Sequence, residues 1–419
     1  MEFKKTYYSR IGEEINTGTH ESGLEVYVLP KKGFGKSYAI FATRFGSINN
    51  KFTFGSEDIT LPDGVAHFLE HKLFEEPDGN AFDKFSVYGA SANAFTSFDM
   101  TAYLFSATSH FYDNLEILLK FVQNPYFTEE NVQKEQGIIG QEITMYQDNA
   151  DWCLFFNMLR AMYKTHPITI DIAGTIESIA KIDKDLLYKC YGAFYNPKNM
   201  ALFVIGDVAA DEVLAIVDKC IENKEIPEVK FSLPKEDDKI KEKLIKQKFC
   251  VSRPMFALGF KEKPMKDAVW ADAAYAILCE ILFSKSTALY EKLYNEKLIS
   301  PGFGAEYSSG MGYAFCSLQS ETENPALARD VILDYIDSIR KNGIPKADFE
   351  RAKKAVYGKQ IRAFNNIEDV AGSYISLLFK GGDYLTFTDK LGSIAYEDIT
   401  ALLEGALLRD KCVLSVVEP

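Results

Sequence analysis

The sequence predicts an α+β protein made of two homologous α/β-sandwich-type halves, each with an antiparallel or mixed sheet and helices on one face. Three observations predict this fold class. Short alternating or apolar runs typical of strands occur among longer runs with helical spacing. The same order of elements occurs twice along the 419 residues, and a charged segment separates the two copies. We therefore expect two domains of one architecture.

The first half begins and ends with strands. Residues 24–30 and 38–46 have the alternating pattern of strands. The Gly33–Ser37 turn between them resembles the end of a phosphate-binding loop, but the first glycine of such a loop would be Pro30, so the turn is interpreted as a hairpin. The elements that follow are a helix at 63–76, two strands within 91–107 with a turn near Phe98, a helix at 110–123, a helix capped by Thr128 and a strand at 200–205.

The second half repeats this order after a linker. Residues 223–247 are charged, contain prolines and lack apolar periodicity, which predicts a linker. The elements after it are strands near 248–260 and 312–319, two helical stretches within 268–297, helices around 324–341, 346–363 and 367–379, and a strand at 413–417. A Ser-Ile-Ala triplet, at 178–180 and again at 393–395, precedes a helix and the last strand of each half. The predicted domains are therefore 1–222 and 248–419.

The composition excludes several classes of partner. A net charge of −13 argues against binding to nucleic acid or to an anionic membrane surface. The sequence contains no run of eighteen or more apolar residues, the length needed to span a membrane. Its first residues lack the apolar stretch of a signal peptide. The seven cysteines are scattered, and none forms a C-x-x-C pair. We expect reduced core thiols in a cytoplasmic protein that binds neither nucleic acid nor membrane.

The segment His67–His71 (His-Phe-Leu-Glu-His) carries the strongest functional signal. Residues four apart on a helix lie one turn along the same face, so His67 and His71 can direct two ring nitrogens at one metal ion. Glu70 lies about 60° to one side, close enough to act on a water molecule without binding the metal. The opposite, apolar side holds Val65, Phe68, Leu69 and Leu73. This H-x-x-E-H order is the inverse of the H-E-x-x-H helix of zinc proteases. The alternative interpretation of the segment is a surface helix with two solvent-facing histidines.

A third ligand is needed, because catalytic zinc typically has three protein ligands and one open position. On the helix after Thr128, Glu135 and Glu142 lie seven residues apart, which places them on one face. Ile139 and Ile143 predict that this face turns inward, where an acidic side chain is uncommon unless it is paired or binds a metal. Glu142 is therefore a candidate third ligand, and pairing with another side chain is its alternative. The alternative for Glu135 is an ordinary solvated charge.

Taken together, these residues resemble the pitrilysin/insulinase family of zinc metallopeptidases, the inverzincins, and in particular its short-chain bacterial processing-protease-like branch. The segments that carry the resemblance are His67–His71, Ser91–Thr96, Glu135–Glu142, Gly174-Thr175 and Tyr195–Met200. The resemblance covers nearly the whole chain. It rests on sequence in the first half and mostly on element order in the second.

The resemblance implies a hydrolase, a zinc-dependent metalloendopeptidase that cleaves unstructured peptides or leader segments. It implies that His67, His71 and Glu142 bind Zn²⁺. Glu70 would be the general base that activates the attacking water and then protonates the leaving amine. Glu135 would be a nearby acidic residue that supports the site.

The resemblance also implies where substrate binds. Asn93, Ala94 and Phe95 match the family's edge strand, to which a peptide adds as an extra strand through main-chain hydrogen bonds. Domain 1–222 would then be the catalytic zinc-binding domain, and 248–419 a homologous domain that lacks a metal site.

The chain departs from the family pattern in its second half. Members that act alone carry an Arg and a Tyr seven residues apart. Here the Arg position falls on Tyr294 and the Tyr position on or beside Ser300, with Tyr307 and Tyr313 as nearby substitutes. This departure predicts that the chain is the zinc-bearing half of a clamshell dimer, whose homologous partner lacks zinc and carries the Arg/Tyr pair. A homodimer is the other arrangement left open.

Two functions outside catalysis are alternatives. The chain could be a non-catalytic scaffold subunit of the same fold, or a subunit that captures peptides on its edge strand without cutting them. A complete metal triad with its base argues against the scaffold. Among enzymes, a general peptide degrader and a dedicated protease for one leader peptide both fit the sequence.

Overall fold

The structure is a computed structural model, and it describes residues 2–223 and 227–419. Residues 224–226 of the predicted linker lie outside the described residues. Helices account for 46% and strands for 23% of the structure, which confirms the mixed fold class. In the part of the chain that the structure describes, no helix combines the length and the apolar character needed to cross a bilayer.

The first half of the chain forms strands followed by helices. In chain order its elements are β1 (Lys4–Tyr8), β2 (Glu13–Thr19), β3 (Glu25–Pro30), β4 (Ser37–Thr43), β5 (Lys51–Phe54), β6 (Glu57–Thr60), α1 (Val65–Leu73), β7 (Glu75–Glu76), β8 (Gly79–Asn80), α2 (Ala81–Val87), β9 (Ser91–Thr96), β10 (Thr101–Ala107), α3 (Phe111–Gln123), α4 (Glu129–Gln147), α5 (Ala150–Met162), α6 (Ile176–Ile179), α7 (Lys184–Phe194), β11 (Met200–Gly206) and α8 (Ala210–Cys220).

The second half has a similar alternation. Its elements are β12 (Val229–Phe231), β13 (Leu244–Lys248), β14 (Met255–Glu262), α9 (Ala268–Phe283), α10 (Ala288–Asn295), β15 (Gly304–Gly310), β16 (Tyr313–Glu321), α11 (Pro325–Asn342), α12 (Lys346–Ala363), α13 (Ile367–Phe379), α14 (Phe387–Ser393), α15 (Tyr396–Gly405) and β17 (Cys412–Glu418). Every helix and strand predicted from the sequence is present, with ends that differ by a few residues.

Contacts divide the chain into two compact units. Unit 1 comprises Met1–Ile143, Ile170–Ser232 and Ala363–Phe379. Unit 2 comprises Thr144–Thr169, Leu233–Arg362 and Lys380–Pro419.

The main sheet of unit 1 has seven strands in the order β1-β2-β3-β11-β4-β10-β9. β11 runs parallel to β3 and antiparallel to β4. Every residue of β4 and β11 is buried. Strands that are covered on both faces have nearly continuous apolar sequences. Tyr-Ala-Ile-Phe-Ala in β4 and Ala-Leu-Phe-Val-Ile in β11 are sequences of this kind.

The predicted hairpin at Gly33–Ser37 is wrong. β3 and β4 are both strands, but β11 lies between them and pairs with each. The alternating pattern identifies each strand without identifying its neighbour in the sheet. The segment is instead a connection that passes the end of β11, and Gly33 adopts a φ of +82° there.

Unit 2 contains a five-stranded sheet in the order β13-β17-β14-β16-β15. Its strands match β3-β11-β4-β10-β9 one for one. In each of these two sets of five strands the first pair is parallel and the remaining pairs are antiparallel. The shared order and strand directions support the prediction of two homologous halves.

The compact units differ from the predicted continuous domains 1–222 and 248–419 in two segments. α5 comes from the first half of the sequence, yet it belongs to unit 2 and packs on β14 and β17. α13 comes from the second half, yet it belongs to unit 1 and packs on β4 and β11. A helical pattern shows that a helix must cover a sheet but does not show which sheet. The functional roles assigned to the two domains stay predictions.

The predicted linker 223–247 is partly structured. β12 pairs with β5 in unit 1, and β13 pairs with β17 in unit 2, so both ends of the segment join sheets. Between them, Glu236 accepts a 2.6 Å hydrogen bond from the buried Lys261 and further bonds from the backbone N–H groups of residues 164–166. The charged composition therefore reflects ion pairs and main-chain pairing as well as solvation.

Candidate metal centre

The start of α1 is fixed by a close backbone contact that two glycines allow. Gly64 precedes the helix with a φ of +91°, and a Cβ there would lie 2.5 Å from the carbonyl oxygen of Ala173. Gly174 has a φ of +77°, and a Cβ there would lie 2.4 Å from the carbonyl oxygen of Asp63. Ser178 Oγ donates a 2.8 Å hydrogen bond to the same Asp63 oxygen. These contacts determine where the helix with the two histidines begins.

α1 is buried on nearly every side. The four apolar residues expected to face the core are all at most 2% exposed: Val65, Phe68, Leu69 and Leu73. On the opposite side His67 is 7% exposed and Glu70 is 9% exposed, while His71 is partly exposed. The alternative of a surface helix with two solvent-facing histidines is therefore wrong.

α4 brings two carboxylates to α1. The Thr128 side chain accepts a hydrogen bond from the backbone N–H three residues later, as expected for a cap. Ile139 and Ile143 are buried, so the helix does turn this face inward. Glu135 is buried at 5% exposure, which makes the solvated alternative wrong, and Glu142 is partly buried.

His67, His71 and Glu142 converge on one point. Their ligand atoms all lie within 4.8 Å of one another. His67 Nε2 is 3.7 Å from Glu142 Oε1, and His71 Nε2 is 3.4 Å from Glu142 Oε2. Tetrahedral zinc with bonds of about 2.0–2.1 Å holds its ligand atoms about 3.3 Å apart, so the site has nearly the required dimensions. It is the one such group of three or more His, Cys, Asp or Glu side chains among residues 2–223 and 227–419.

Glu135 lies behind His71 rather than in the triad. His71 Nδ1 is 3.0 Å from Glu135 Oε1, so the ring can donate this bond and leave Nε2 to face the site. Burial alone lowers the pKa of His71, but the hydrogen bonds to Glu135 and Glu142 outweigh burial and raise this pKa to about 10. The field of these carboxylates therefore favours a positive charge at His71, either a proton or a metal ion.

His67 has different surroundings. Burial, followed by the nearby His71, lowers the pKa of His67 to about 4. Its Nδ1 atom is buried and has no hydrogen-bond partner among the residues that the structure describes. A neutral imidazole is the form that binds a metal, so the donor set of one neutral histidine, one carboxylate-backed histidine and one carboxylate suits zinc.

Glu70 faces the same site from α1. Thr96 Oγ donates a 2.8 Å hydrogen bond to Glu70 Oε2. Burial raises the pKa of Glu70 in spite of this bond. A buried carboxylate of raised pKa beside three candidate metal ligands has the properties of a general base.

The strand with Asn93, Ala94 and Phe95 is β9, at the edge of the unit 1 sheet. It pairs with β10 on one side only, and α1 packs against it. In the described residues no strand pairs with its other side. Thr96, at the end of this strand, connects the edge to Glu70.

The four candidates for the missing Arg/Tyr pair lie in unit 2 and differ in their surroundings. Tyr313 is buried, and Tyr307 stacks on Tyr275 with ring centroids 3.9 Å apart. The Ser300 backbone donates a 2.8 Å hydrogen bond to Ser320 Oγ. Tyr294 is 49% exposed.

Sequence reasoning missed two residues that contact this site, Lys72 and Thr96. Lys72 is fully buried, and its ammonium lies 3.6 Å from Glu135 Oε2. The helical wheel contains a signal for it, because Lys72 falls in the middle of the apolar arc of α1. Thr96 was part of the matched strand segment, but no local pattern indicates that its hydroxyl reaches Glu70.

Comparison with known proteins identifies relatives along the whole chain. Family models described as "Insulinase (Peptidase family M16)" and "Peptidase M16 inactive domain" match residues 56–176 and 181–356. The chain is 42% identical to a Bacillus subtilis protein described as uncharacterized zinc protease YmfH, over 99% of both chains. It is 25% identical to the zinc protease PqqE of Helicobacter pylori, over 90% of this chain and 85% of that protein. The crystal structure of an M16-like peptidase from Alicyclobacillus acidocaldarius matches with a TM-score of 0.94 and 32% identity, over 100% of this chain and 99% of the other.

Proposed function

Because this chain belongs to the insulinase family of peptidases, family M16, we propose that it is a zinc-dependent metalloendopeptidase. The single observation that carries this proposal is the convergence of His67, His71 and Glu142 on one point, with Glu70 beside them. The proposed substrates are unstructured peptides or leader segments.

The proposed roles follow from the surroundings of each residue. His67, His71 and Glu142 would hold the zinc ion. When bound, zinc supplies Lewis acidity, which polarises a carbonyl group and makes a water molecule more acidic. Glu70 would take the proton of the attacking water and pass it to the leaving amine, since its raised pKa suits both transfers. Thr96 holds Glu70 Oε2, which leaves the other carboxylate oxygen for the proton.

The proposed substrate-binding element is β9. An edge strand offers unpaired main-chain groups, and a peptide that pairs with them is recognised by its backbone rather than by its sequence. Asn93, Ala94 and Phe95 would form these bonds, and Thr96 places the bound peptide next to Glu70.

We further propose that the active form is a dimer with a homologous partner that carries the Arg/Tyr pair, or else a homodimer. The substitution of that pair by Tyr294 and Ser300 supports this. Cleavage of unstructured peptides at full rate by the monomeric chain, with mass checked by light scattering, would contradict it.

The absence of any disulfide among the seven cysteines supports the cytoplasm as the proposed compartment.

The test of the proposed activity combines metal analysis with a quenched-fluorescence peptide assay. We expect about one zinc ion per chain and cleavage that a chelator abolishes and added zinc restores. Glu70→Gln should keep the zinc and lose at least about 100-fold in turnover, because general base catalysis contributes on this scale. A zinc-loaded chain that does not cut would favour the peptide-capturing alternative, and a chain that binds no zinc would favour the scaffold.

A further inference from the structure

Lys72 is a charged residue in the core, directly after the candidate ligand His71. Its side chain is 0% exposed, although lysine is rarely fully buried without an ionic partner. It lies on the apolar side of α1, among the residues that anchor the helix, rather than on the side of the histidines. A buried ammonium in this position needs partners that offset its lost hydration.

Three oxygen atoms supply this compensation. Lys72 Nζ lies 2.6 Å from Glu75 Oε2 and 3.6 Å from Glu135 Oε2, and it donates a 3.2 Å hydrogen bond to the carbonyl oxygen of Asn131. Two of these partners, Asn131 and Glu135, belong to α4, which also carries Glu142. The ammonium therefore connects the helix of the two histidines to the helix of the third candidate ligand.

The two oxygens of Glu135 have different partners. Oε1 lies 3.0 Å from His71 Nδ1, and Oε2 faces Lys72. A carboxylate held at both oxygens has a fixed orientation, and the orientation of Oε1 determines how the His71 ring is held. His67 has no comparable support, because no group in the described part of the chain is hydrogen-bonded to its Nδ1. Of the two histidines, His71 is therefore the one whose ring is oriented by a carboxylate.

We propose that Lys72 is a positioning residue of the zinc site. It acts through Glu135, whose carboxylate it holds in the orientation that directs His71 Nε2 at the metal. This inference rests on the proposed zinc site and adds to it a residue that does not touch the metal.

A purely structural ion pair is the alternative, and the chain contains a matched control for it. Lys261 in unit 2 is 5% exposed and lies 2.6 Å from Glu236 Oε1, so it is also a buried, ion-paired lysine. None of the three candidate ligands is among its partners. Lys261→Met therefore removes a comparable buried pair without touching the connection to His71.

The experiment measures zinc dissociation constants by competition with a chelator. The proteins are the full-length chain and its variants Lys72→Met, Glu135→Gln, the double variant and Lys261→Met, with folding checked by circular dichroism. We expect Lys72→Met to weaken zinc binding by about 10–100-fold, the range typical when a residue that orients a metal ligand is removed. Lys261→Met should stay within about threefold of the wild type, even if it lowers the melting temperature equally.

The double variant separates positioning from general stability. If Lys72 acts through Glu135, its removal should have an effect of less than about threefold once Glu135 is Gln, since the coupled residues then act as one unit. A Lys72→Met loss that persists in the Glu135→Gln background would overturn the proposal, as would unchanged affinity in Lys72→Met. If Lys72→Met does not fold, Lys72→Gln takes its place in the experiment. If neither variant folds, Lys72 is a residue of global stability rather than a positioning residue, and the proposal fails. A wild-type chain that binds no zinc would refute the proposed function itself.

Discussion

The residues of the candidate site are held by unequal means. His71 is oriented by a carboxylate at 3.0 Å, whereas His67 is buried and, within residues 2–223 and 227–419, has no partner at Nδ1. Glu70 is oriented by the Thr96 hydroxyl at 2.8 Å. Since Thr96 lies on the proposed substrate strand, one hydrogen bond connects the proposed base to this edge of the sheet. Loss of this bond should therefore affect turnover more than metal content.

Thr96→Val tests this connection. The variant keeps the shape of the side chain but removes the hydroxyl, and a hydrogen bond to a charged group contributes about 1.5–3 kcal/mol. We expect turnover to fall by about tenfold or more, with zinc content unchanged, in the quenched-peptide and metal assays. Thr53→Val is the control, because the Thr53 hydroxyl donates a 2.7 Å bond to Asp58 on an exposed hairpin. Equal turnover in both variants would show that Thr96 does not position Glu70.

At the scale of elements, the position of α1 depends on its first turn. The helix begins after Gly64, where the chain passes within contact distance of residues 173 and 174. Gly64 and Gly174 both have positive φ values, and at each of them a side chain would meet a backbone carbonyl oxygen rather than a flexible group. A displacement at this end would move the whole helix, including His67 and His71, relative to α4.

Gly174→Ala should therefore disturb both stability and the site. At Gly174 the new Cβ would lie 2.4 Å from the Asp63 oxygen, in addition to the penalty for a positive φ. We expect the free energy of unfolding to fall by roughly 2–4 kcal/mol, and zinc affinity to weaken. Gly33→Ala is the control, because Gly33 has a φ of +82° and no atom of the described residues lies within 4 Å of a Cβ there. This variant should lose about 1–2 kcal/mol of unfolding free energy. Urea unfolding of the two variants compares them, and equal losses would mean that the close contact does not matter.

At the scale of the whole molecule, stability depends on a buried acid in unit 2 as well as on the site in unit 1. Glu262 accepts a 2.8 Å bond from the Leu407 backbone and a 2.9 Å bond from Tyr275. Burial outweighs these bonds and raises the pKa of Glu262 from 4.5 to about 7. The folded chain thus keeps a proton at this residue at pH values where the unfolded chain releases it.

The sign of the resulting pH dependence is fixed by this difference. The stabilising contribution of Glu262 is complete below about pH 4.5 and is lost as the pH rises through about 7. The free energy of unfolding should fall from pH 5 to pH 8 by roughly 2–3 kcal/mol more in the wild type than in Glu262→Gln, which cannot ionise there. Urea unfolding at both pH values measures this, and Glu350→Gln, a change at an exposed residue of unit 2, is the control. An identical pH dependence in the wild type and Glu262→Gln would contradict the prediction.

Most helices and strands were predictable, because their patterns are local. Alternation identified β3 and β4, and the spacing of apolar residues identified α1 and α4. The strands that were missed are mainly short or at edges, such as β5, β6 and β15, where few apolar residues make the pattern weak. α5 was missed because its sequence is apolar on several sides and lacks clear periodicity.

The sequence by itself identified the candidate site residues. His67, Glu70 and His71 are related by helical spacing, the inward face of the next helix offers Glu142 as a candidate ligand, and the family resemblance assigns their roles. Only the tertiary structure decided what lies between and behind these groups. It placed β11 between β3 and β4, exchanged α5 and α13 between the units, and brought Lys72 and Thr96 to Glu135 and Glu70. The physical reason is separation along the sequence. Spacing within one helix is set by backbone geometry, whereas contacts between distant segments are set by tertiary packing, which local sequence patterns do not predict.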